Sequence, residues 1–249
     1  MYKRQPEYLH QALARAVKDK DAYVALEVIK ALAITAGEKS LLYRIGEAQP
    51  LVQALSFDDK AVRYSAAIAI AAAGPKKDFP ESKVVAETLA TALGEAIQAT
   101  SNEQQASHYA IRAAKVMLKL AITRNQVIDL SVAQDVLIDV TMKGTKELQT
   151  LAGQILAYLD SPDAQRAIAA MALNGDNDKQ VRISAFNSLA ISAKLHANML
   201  IEKMIDHIYS LISSTDTDPE LRAAAATAYG ALNLPTRKVK DLILDQAKS

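Results

Sequence analysis

The chain lacks cysteine and tryptophan altogether, and it has only eight glycines and seven prolines among 249 residues. Without cysteine there can be no disulfide, no thiolate metal site and no cysteine nucleophile. The longest apolar run, AAIAIAAA at residues 66–73, is far shorter than the roughly 20 residues that a membrane-spanning helix needs. No apolar segment of a signal peptide follows the N-terminal positive charges. We expect a cytoplasmic location by default, unless the chain is a fragment of an exported protein.

An excess of charge of one sign is also missing, because 29 Lys and Arg residues stand against 28 Asp and Glu residues. No overall field would draw the molecule to nucleic acid or to an anionic membrane, so any charged binding has to be local. Half of the residues are apolar, which is enough for a substantial core. The chain is therefore expected to fold without disulfides or metals.

What the chain does contain is an internal repeat. The segments DDKAVRYSAAIAIAAAGP, DNDKQVRISAFNSLAISA and DTDPELRAAAATAYGALNLP share an Asp, a Val or Leu three residues on, an Arg four residues on and an Ala seven residues on. Weaker copies begin near Asp21, Asn102 and Thr145, and they fill the remaining intervals. The sequence therefore predicts six copies of one unit.

Each copy has the pattern of two helices. Apolar residues recur at intervals of 3 and 4, and glycine or proline separates the helical segments. No alternating run with hairpin turns indicates a strand, so we expect an all-α chain. The predicted units are residues 6–37, 38–74, 80–124, 129–160, 161–196 and 198–234, with a C-terminal capping helix at 235–248.

The period of about 40 residues and the Asp, Val, Arg, Ala pattern resemble HEAT repeats of the HEAT/PBS-lyase-like type over essentially the whole chain. IRAAKVMLKLAITRNQVIDLSVA also resembles a group of bacterial, planctomycete-type HEAT proteins. The resemblance implies one domain, residues 1–249, that forms a right-handed, armadillo-like α-solenoid of about six antiparallel helix pairs. It further implies that the recurring Asp and Arg residues bridge neighbouring units as a ladder: Asp59, Arg63, Asp178, Arg182, Asp218 and Arg222.

The recurring aspartates stand where helix N-caps belong. A carboxylate at that position accepts hydrogen bonds from the free backbone N–H groups of the first turn. Pro219 follows Asp218, and proline is favoured at the first helical position. Because a catalytic pair is needed once and a capping pair once per unit, we interpret the repeated Asp and Arg as structural.

One cationic set does not follow the repeat. His108, Arg112, Lys115 and Lys119 are spaced by 4, 3 and 4, which places them on one face of a helix. This face is either a solvated helix surface or a binding patch for an anionic partner. The apolar residues on the opposite face are Ala110, Ala113, Ala114, Met117 and Leu118.

Tyrosines recur in the predicted second helices of the units. There they are either core residues that fill gaps between alanines or apolar anchors for a partner, since tyrosine is enriched at binding hot spots. Both interpretations stay open at this point. The residues are Tyr64, Tyr109, Tyr158 and Tyr229.

We expect a non-catalytic scaffold that binds a protein or peptide on the concave surface of the solenoid and needs no cofactor. The four histidines lack metal-binding spacing, and no nucleophile or phosphate-loop motif occurs. One alternative is a HEAT-like enzyme, a chromophore lyase or DNA glycosylase, although the near-neutral charge and missing tryptophan disfavour it. Another is nucleic-acid binding through the basic helix. A repeat region cut from a larger protein is a third, and its N-terminal repeat could associate end to end with another copy.

Overall fold

Helices make up the computed structural model of the chain, which describes residues 5–35, 41–98 and 104–234. Within those ranges there are twelve α-helices and no strand, only an isolated bridge between Ile45 and Ala48. The prediction of an all-α fold is confirmed. In the same ranges, no helix combines the length and the apolar character needed to cross a bilayer.

The helices differ in length. Short 3-10 turns extend two of them: residues 54–56 follow α3, and residues 130–133 precede α7. The predicted capping helix at 235–248 lies outside the described residues. The helices are α1 Gln5–Asp19, α2 Ala22–Thr35, α3 Pro50–Gln53, α4 Lys60–Ala73, α5 Ser82–Gln98, α6 Gln104–Ile122, α7 Gln134–Lys143, α8 Lys146–Leu156, α9 Pro162–Leu173, α10 Lys179–His196, α11 Glu202–Ser213 and α12 Pro219–Ala231.

The chain forms two compact units, Met1–Val136 and Leu137–Ser249. In the first unit, α1 packs on α2, α5 packs on α6, and the alternate helices α2, α4 and α6 pack on one another in sequence. In the second unit, α9 packs on α10, α11 packs on α12, and α8, α10 and α12 pack in sequence. We name α2, α4, α6, α8, α10 and α12 the second helices.

Small side chains allow the second helices to approach closely. Every residue of α4 from Tyr64 to Ala71 is buried, and five of these eight are alanines or serine. Gly153 of α8 shows a similar approach, because a Cβ atom there would lie 2.5 Å from the Cε atom of Met171 in α9. Interiors packed at this density leave little space between backbones. Large side chains such as Phe186 then fill the space that the alanines leave.

Aspartate N-caps begin three of the second helices, as the sequence predicted. Asp59, Asp178 and Asp218 precede α4, α10 and α12, and each carboxylate accepts a hydrogen bond from the backbone N–H two residues ahead. Thr145 caps α8 through its hydroxyl, which accepts from the N–H three residues ahead. Pro219 occupies the first turn of α12. The N-cap interpretation is therefore confirmed for these helices.

Among the described residues, the side chains of Arg63 and Arg182 bind backbone carbonyl groups and not the neighbouring unit's aspartate that the resemblance implies. Arg63 Nη1 donates to the carbonyl oxygens of Phe57 and of the following residue, at 2.7 and 2.8 Å. Arg182 Nε donates to the carbonyl oxygen of Ala172 at 3.0 Å. An arginine in the first turn projects back toward the start of its own helix, so it reaches carbonyl groups of the segment just before it. Arg222 takes the same helical position, and its backbone N–H bonds the cap residue.

Candidate functional site

The basic row, His108, Arg112, Lys115 and Lys119, lies along one side of α6. His108, Lys115 and Lys119 are exposed, and Arg112 is half-buried. Leu118 is half-buried. The rest of the predicted apolar face is buried against the neighbouring helices, as an amphipathic helix requires: Ala110, Ala113, Ala114 and Met117.

Tyr109 organises the N-terminal half of the basic row. The guanidinium carbon of Arg112 lies 5.8 Å from the centroid of the half-buried Tyr109 ring, which is within the range of a cation–π interaction. The ring of His108 meets the same ring edge-on, with 6.0 Å between the centroids. The two side chains are therefore held against an aromatic surface, although the sequence predicted only a shared helix face.

Lys119 has a structural contact of its own. Its Nζ atom donates to the carbonyl oxygen of Ala72, in the last turn of α4, at 2.7 Å. A cation is favourable at this end of a helix because the terminal carbonyl groups carry partial negative charge. Lys119 therefore joins α6 to α4.

Two of the tyrosines predicted as partner anchors are core residues. Tyr64 and Tyr229 are each 3% exposed, so neither presents its ring to a partner. Each packs on another tyrosine: Tyr64 lies 5.6 Å from Tyr109, and Tyr229 lies 6.1 Å from Tyr209, between ring centroids. Alanine-rich helices need large side chains to fill the gaps between them, and these two tyrosines do so.

Tyr158 lies in a different element from the one predicted. Helix α8 ends at Leu156, and Tyr158 follows in the turn beyond it, where its side chain is half-buried. Its backbone N–H donates to the carbonyl oxygen of Ile155 at 3.1 Å. The side chain is thus placed by the geometry of a helix end and is not part of the exposed side of a second helix.

The buried hydroxyl of Tyr64 makes no hydrogen bond of ordinary geometry with the described residues. Burial raises the pKa of Tyr64, and the nearby Glu95 carboxylate raises it further. Burial also opposes the ionisation of Glu95, but Lys60, whose Nζ atom lies 2.9 Å from it, and the neighbouring Tyr64 outweigh that effect and lower its pKa. A negative Glu95 and a neutral Tyr64 are therefore the stable pair.

Exposed apolar side chains on α2 were not predicted from the sequence. Tyr23 is 76% exposed and Ile34 is 86% exposed, and between them the Lys30 ammonium pairs with Glu27 at 2.6 Å. These four residues are spaced by 4, 3 and 4, the same spacing as in the basic row. This spacing indicates one shared helix face, but the segment that begins near Asp21 was interpreted only as a copy of the repeat.

Helices α2 and α6 lie on the same central helix, α4, of the first unit. The Glu27 carboxylate is the main cause of the raised pKa of Lys30, and the hydroxyl groups of Tyr109 and Tyr23 contribute to it. Helices α2 and α6 both pack on α4, so we treat their exposed residues together. We name this surface of the first unit the second-helix face: Tyr23, Glu27, Lys30, Ile34, His108, Tyr109, Arg112 and Lys115.

A ladder of ion pairs does join consecutive helices within each unit, and its cations are lysines. In the first unit, the Lys20 ammonium lies 2.7 Å from Asp58, and Lys60 binds Glu95 as described above. In the second unit, Lys146 lies 2.6 Å from Asp178, an N-cap residue. Lys179 pairs with two carboxylates at the start of α12: the N-cap Asp218 at 3.2 Å and Glu220 at 2.8 Å.

The sequence contained a signal for these lysines. Lys60, Lys146 and Lys179 each directly follow an N-cap residue, so the recurring pair is a cap followed by lysine. At this position Lys146 and Lys179 reach the N-cap of the next second helix, whereas Lys60 reaches Glu95 near the C-terminal end of α5. Exposed pairs of this kind contribute little stability individually.

The described histidines lie apart from one another. His10 is buried and packs on Tyr43, with 5.7 Å between the ring centroids, and His196 Nδ1 lies 3.7 Å from the Asp160 carboxylate. His207 is exposed on α11. In the part of the chain that the structure describes, no three of the His, Asp and Glu side chains are grouped as a metal site would require.

No protein-family model matches the chain, and no curated protein is significantly similar to it in sequence. Among solved structures, the chain is similar to the crystal structure of an engineered protein that was a target of the Northeast Structural Genomics Consortium. The two are 21% identical, with a TM-score of 0.50, over 91% of this chain and 96% of the engineered one. This likeness concerns the fold alone.

Proposed function

We propose that the chain is a non-catalytic scaffold that binds a protein or peptide through the second-helix face. The observation that carries this proposal is the exposure of Tyr23 and Ile34, two large apolar side chains on a helix whose other sides pack in the core. Exposed apolar residues that share one face with polar residues mark interaction surfaces more often than residues scattered singly do.

The fold that best accommodates this function is a right-handed α-solenoid of six HEAT-type helix pairs over residues 1–249. The alternate packing of the second helices supports it, because stacked units share one continuous layer of such helices. In that arrangement the second helices line the concave surface. Self-association end to end through the N-terminal repeat remains part of the proposal.

The charges of the second-helix face indicate the chemistry of the partner. Lys30 is paired with Glu27, and α6 carries two further cations, Arg112 and Lys115. A segment with apolar side chains opposite Tyr23 and carboxylates opposite α6 fits this pattern. Tyrosine and arginine are also enriched among the residues that dominate binding energy.

Affinity capture from a native lysate with three baits tests the proposal. The first bait is the unchanged chain, and the second carries Tyr23→Ala, Arg112→Glu and Lys115→Glu. The matched control carries Tyr8→Ala, Arg15→Glu and Lys83→Glu. These control side chains are also exposed in the first unit, but they lie on α1 and α5, outside the second-helix face.

The expected result is a protein that the unchanged chain and the control retain and that the face variant loses. Its binding to the purified chain should weaken steeply as salt increases, since exposed charges are screened. If all three baits retain the same proteins, or if the control loses the same protein, the second-helix face is not the binding surface.

A further inference from the structure

A cleft of about 450 Å³ lies between the C-terminal ends of α4 and α6, in the first unit. Three cationic side chains line it, Lys76, Lys119 and Arg124, and no carboxylate is among the lining residues. This local concentration of positive charge contrasts with the near-neutral chain. The cleft is large enough for a small molecule, because ligand sites range from about 300 to 1,000 Å³.

The rim of the cleft is held in place by hydrogen bonds. Asn125 Nδ2 donates to the carbonyl oxygen of Pro75 at 2.8 Å, which fastens the loop after α6 to the loop after α4. Asn125 Oδ1 accepts from the backbone N–H groups of Val127 and Ile128, both at 2.9 Å. Lys76 and Arg124 therefore stand on loops that are joined to each other, and Lys119 stands in the last turn of α6.

The partial negative charge at the C-terminal ends of α4 and α6 does not by itself explain all three cations. The carbonyl groups of the last turns already have donors: Lys119 Nζ for Ala72, Asn125 N for Leu120 and Arg124 N for Ala121. The Arg124 guanidinium itself makes no hydrogen bond or ion pair with the described residues. Its donors are available to a ligand.

The backbone of Arg124 has a positive φ, as do three other described non-glycine residues, Lys20, Ala197 and Asn233. Its φ of 50° is left-handed, and its hydrogen bond to Ala121 together with that of the next residue to Leu120 forms the helix-ending motif in which glycine is preferred. An arginine at this position costs stability relative to glycine. The cost is compatible with a side chain that has a role at the mouth of the cleft.

We propose that this cleft binds a phosphate group. Arginine offers a planar set of donors that matches phosphate oxygens, and the two lysines add positive charge to the cleft. The phosphate could be free, part of a small phosphate ester or carried by a phosphorylated peptide, and the same three cations would bind it in each case. This site goes beyond the proposed function, because Arg124 and Lys76 do not belong to the second-helix face.

The test follows the backbone amide NMR signals of residues 123–127 during titration at about pH 7.5, where phosphate is mostly dianionic. The probes are inorganic phosphate, O-phosphoserine and a short phosphoserine peptide, with ionic strength held constant by sodium chloride. The variants are Arg124→Gly and Lys76→Gln. The control is Lys83→Glu, which reverses an exposed charge outside the cleft.

For the unchanged chain and the control, we expect saturable shifts confined to the cleft. Arg124→Gly should bind phosphate at least about tenfold more weakly, since it loses charge-assisted hydrogen bonds. Its thermal unfolding midpoint should not fall, because glycine suits the left-handed backbone. Weaker binding by this variant therefore cannot be attributed to unfolding.

The three probes identify the carrier of the phosphate. Equal affinity for inorganic phosphate and phosphoserine would identify the ligand as free phosphate or a small phosphate ester. A markedly higher affinity for the phosphoserine peptide would identify it as a phosphorylated protein. Two results would overturn the proposal: no saturable shift up to about 10 mM phosphate, or undiminished binding by Arg124→Gly. Equal shifts with sodium chloride alone would overturn it as well.

Discussion

The Lys146 ammonium lies 2.6 Å from Asp178 Oδ2, while Oδ1 of the same carboxylate accepts a hydrogen bond from the backbone N–H of Gln180 at 2.9 Å. Asp218 divides its oxygens in the same way, because Oδ1 caps α12 and Oδ2 faces Lys179 at 3.2 Å. One carboxylate thus serves its own helix through one oxygen and the neighbouring helix through the other.

Asp59 provides a test of the capping role. Replacing it with alanine removes the acceptor for the first turn of α4 and should lower the free energy of unfolding by about 1 kcal/mol. Asp59→Asn keeps an acceptor oxygen and should lower it much less. Urea denaturation measures both. The neighbouring Asp58→Ala is the control, since it removes only an exposed ion pair; an equal loss there would contradict the capping role.

Lys146→Gln should raise the pKa of Asp178. The lysine and the cap hydrogen bond hold this pKa below its ordinary value. The carboxylate therefore stabilises the fold above its unfolded-state pKa of about 3.9, and that contribution is lost as the pH falls through the lower folded-state pKa. An NMR pH titration of the carboxyl group, with and without salt, measures the change.

Lys143→Gln is the matched control for that titration. Lys143 pairs with Asp139 in its own helix, so the pKa of Asp178 should stay as it is in the unchanged chain. A pKa of Asp178 that does not respond to Lys146→Gln would show that the ion pair between consecutive helices is not formed in solution.

Tyr64 should behave as a core residue. Tyr64→Ala is expected to lower the free energy of unfolding by about 3 kcal/mol or more, because it leaves a cavity beside α6. Tyr64→Phe keeps the ring and removes a buried hydroxyl, so at neutral pH its stability should lie within about 1 kcal/mol of the unchanged chain. Chemical denaturation distinguishes this from a surface role, in which neither substitution would matter.

Alkaline pH gives a second measurement on the same residue. The raised folded-state pKa of Tyr64 means that its contribution is fully present below the unfolded-state pKa of about 10 and is lost as the pH rises toward the folded-state value. Tyr64→Phe should therefore show a smaller loss of stability above that pH. An unchanged alkaline profile would contradict the burial of the hydroxyl.

Two glycines of the second unit should respond differently to alanine. At Gly144, a Cβ atom would lie 2.7 Å from the Val140 carbonyl oxygen and 3.3 Å from Leu148 Cβ, so Gly144→Ala should cost about 1–3 kcal/mol. At Gly153, the close atom is the mobile end of Met171, which can move aside. Thermal unfolding compares the two variants; a larger loss at Gly153 would contradict this difference.

The sequence predicted the starts of the second helices well, since the N-cap aspartates recur at a regular interval and act only on their own first turn. It missed the lysine ladder because the resemblance directed attention to arginine. Lys179 and Arg182 differ by three positions, and that difference decides whether a cation faces the neighbouring helix start or the carbonyl groups behind it.

The exposure of the tyrosines could not be predicted from the sequence. Tyr23 and Tyr64 both lie in second helices amid alanine and valine, yet one is 76% and the other 3% exposed. Which side of a second helix is covered depends on neighbours some 40 residues away along the chain. The spacing of residues within one helix does not contain that information.

The position of the linking lysines has a consequence for how the copies diverge. The pairs Lys146–Asp178 and Lys179–Asp218 are 32 and 39 positions apart, although each joins a first helical residue to the N-cap of the next second helix. Because neighbouring helices are aligned at their starts, insertions and deletions at their far ends or in the intervening first helix leave that alignment unchanged. The second helices accordingly vary between 11 residues in α8 and 19 in α6.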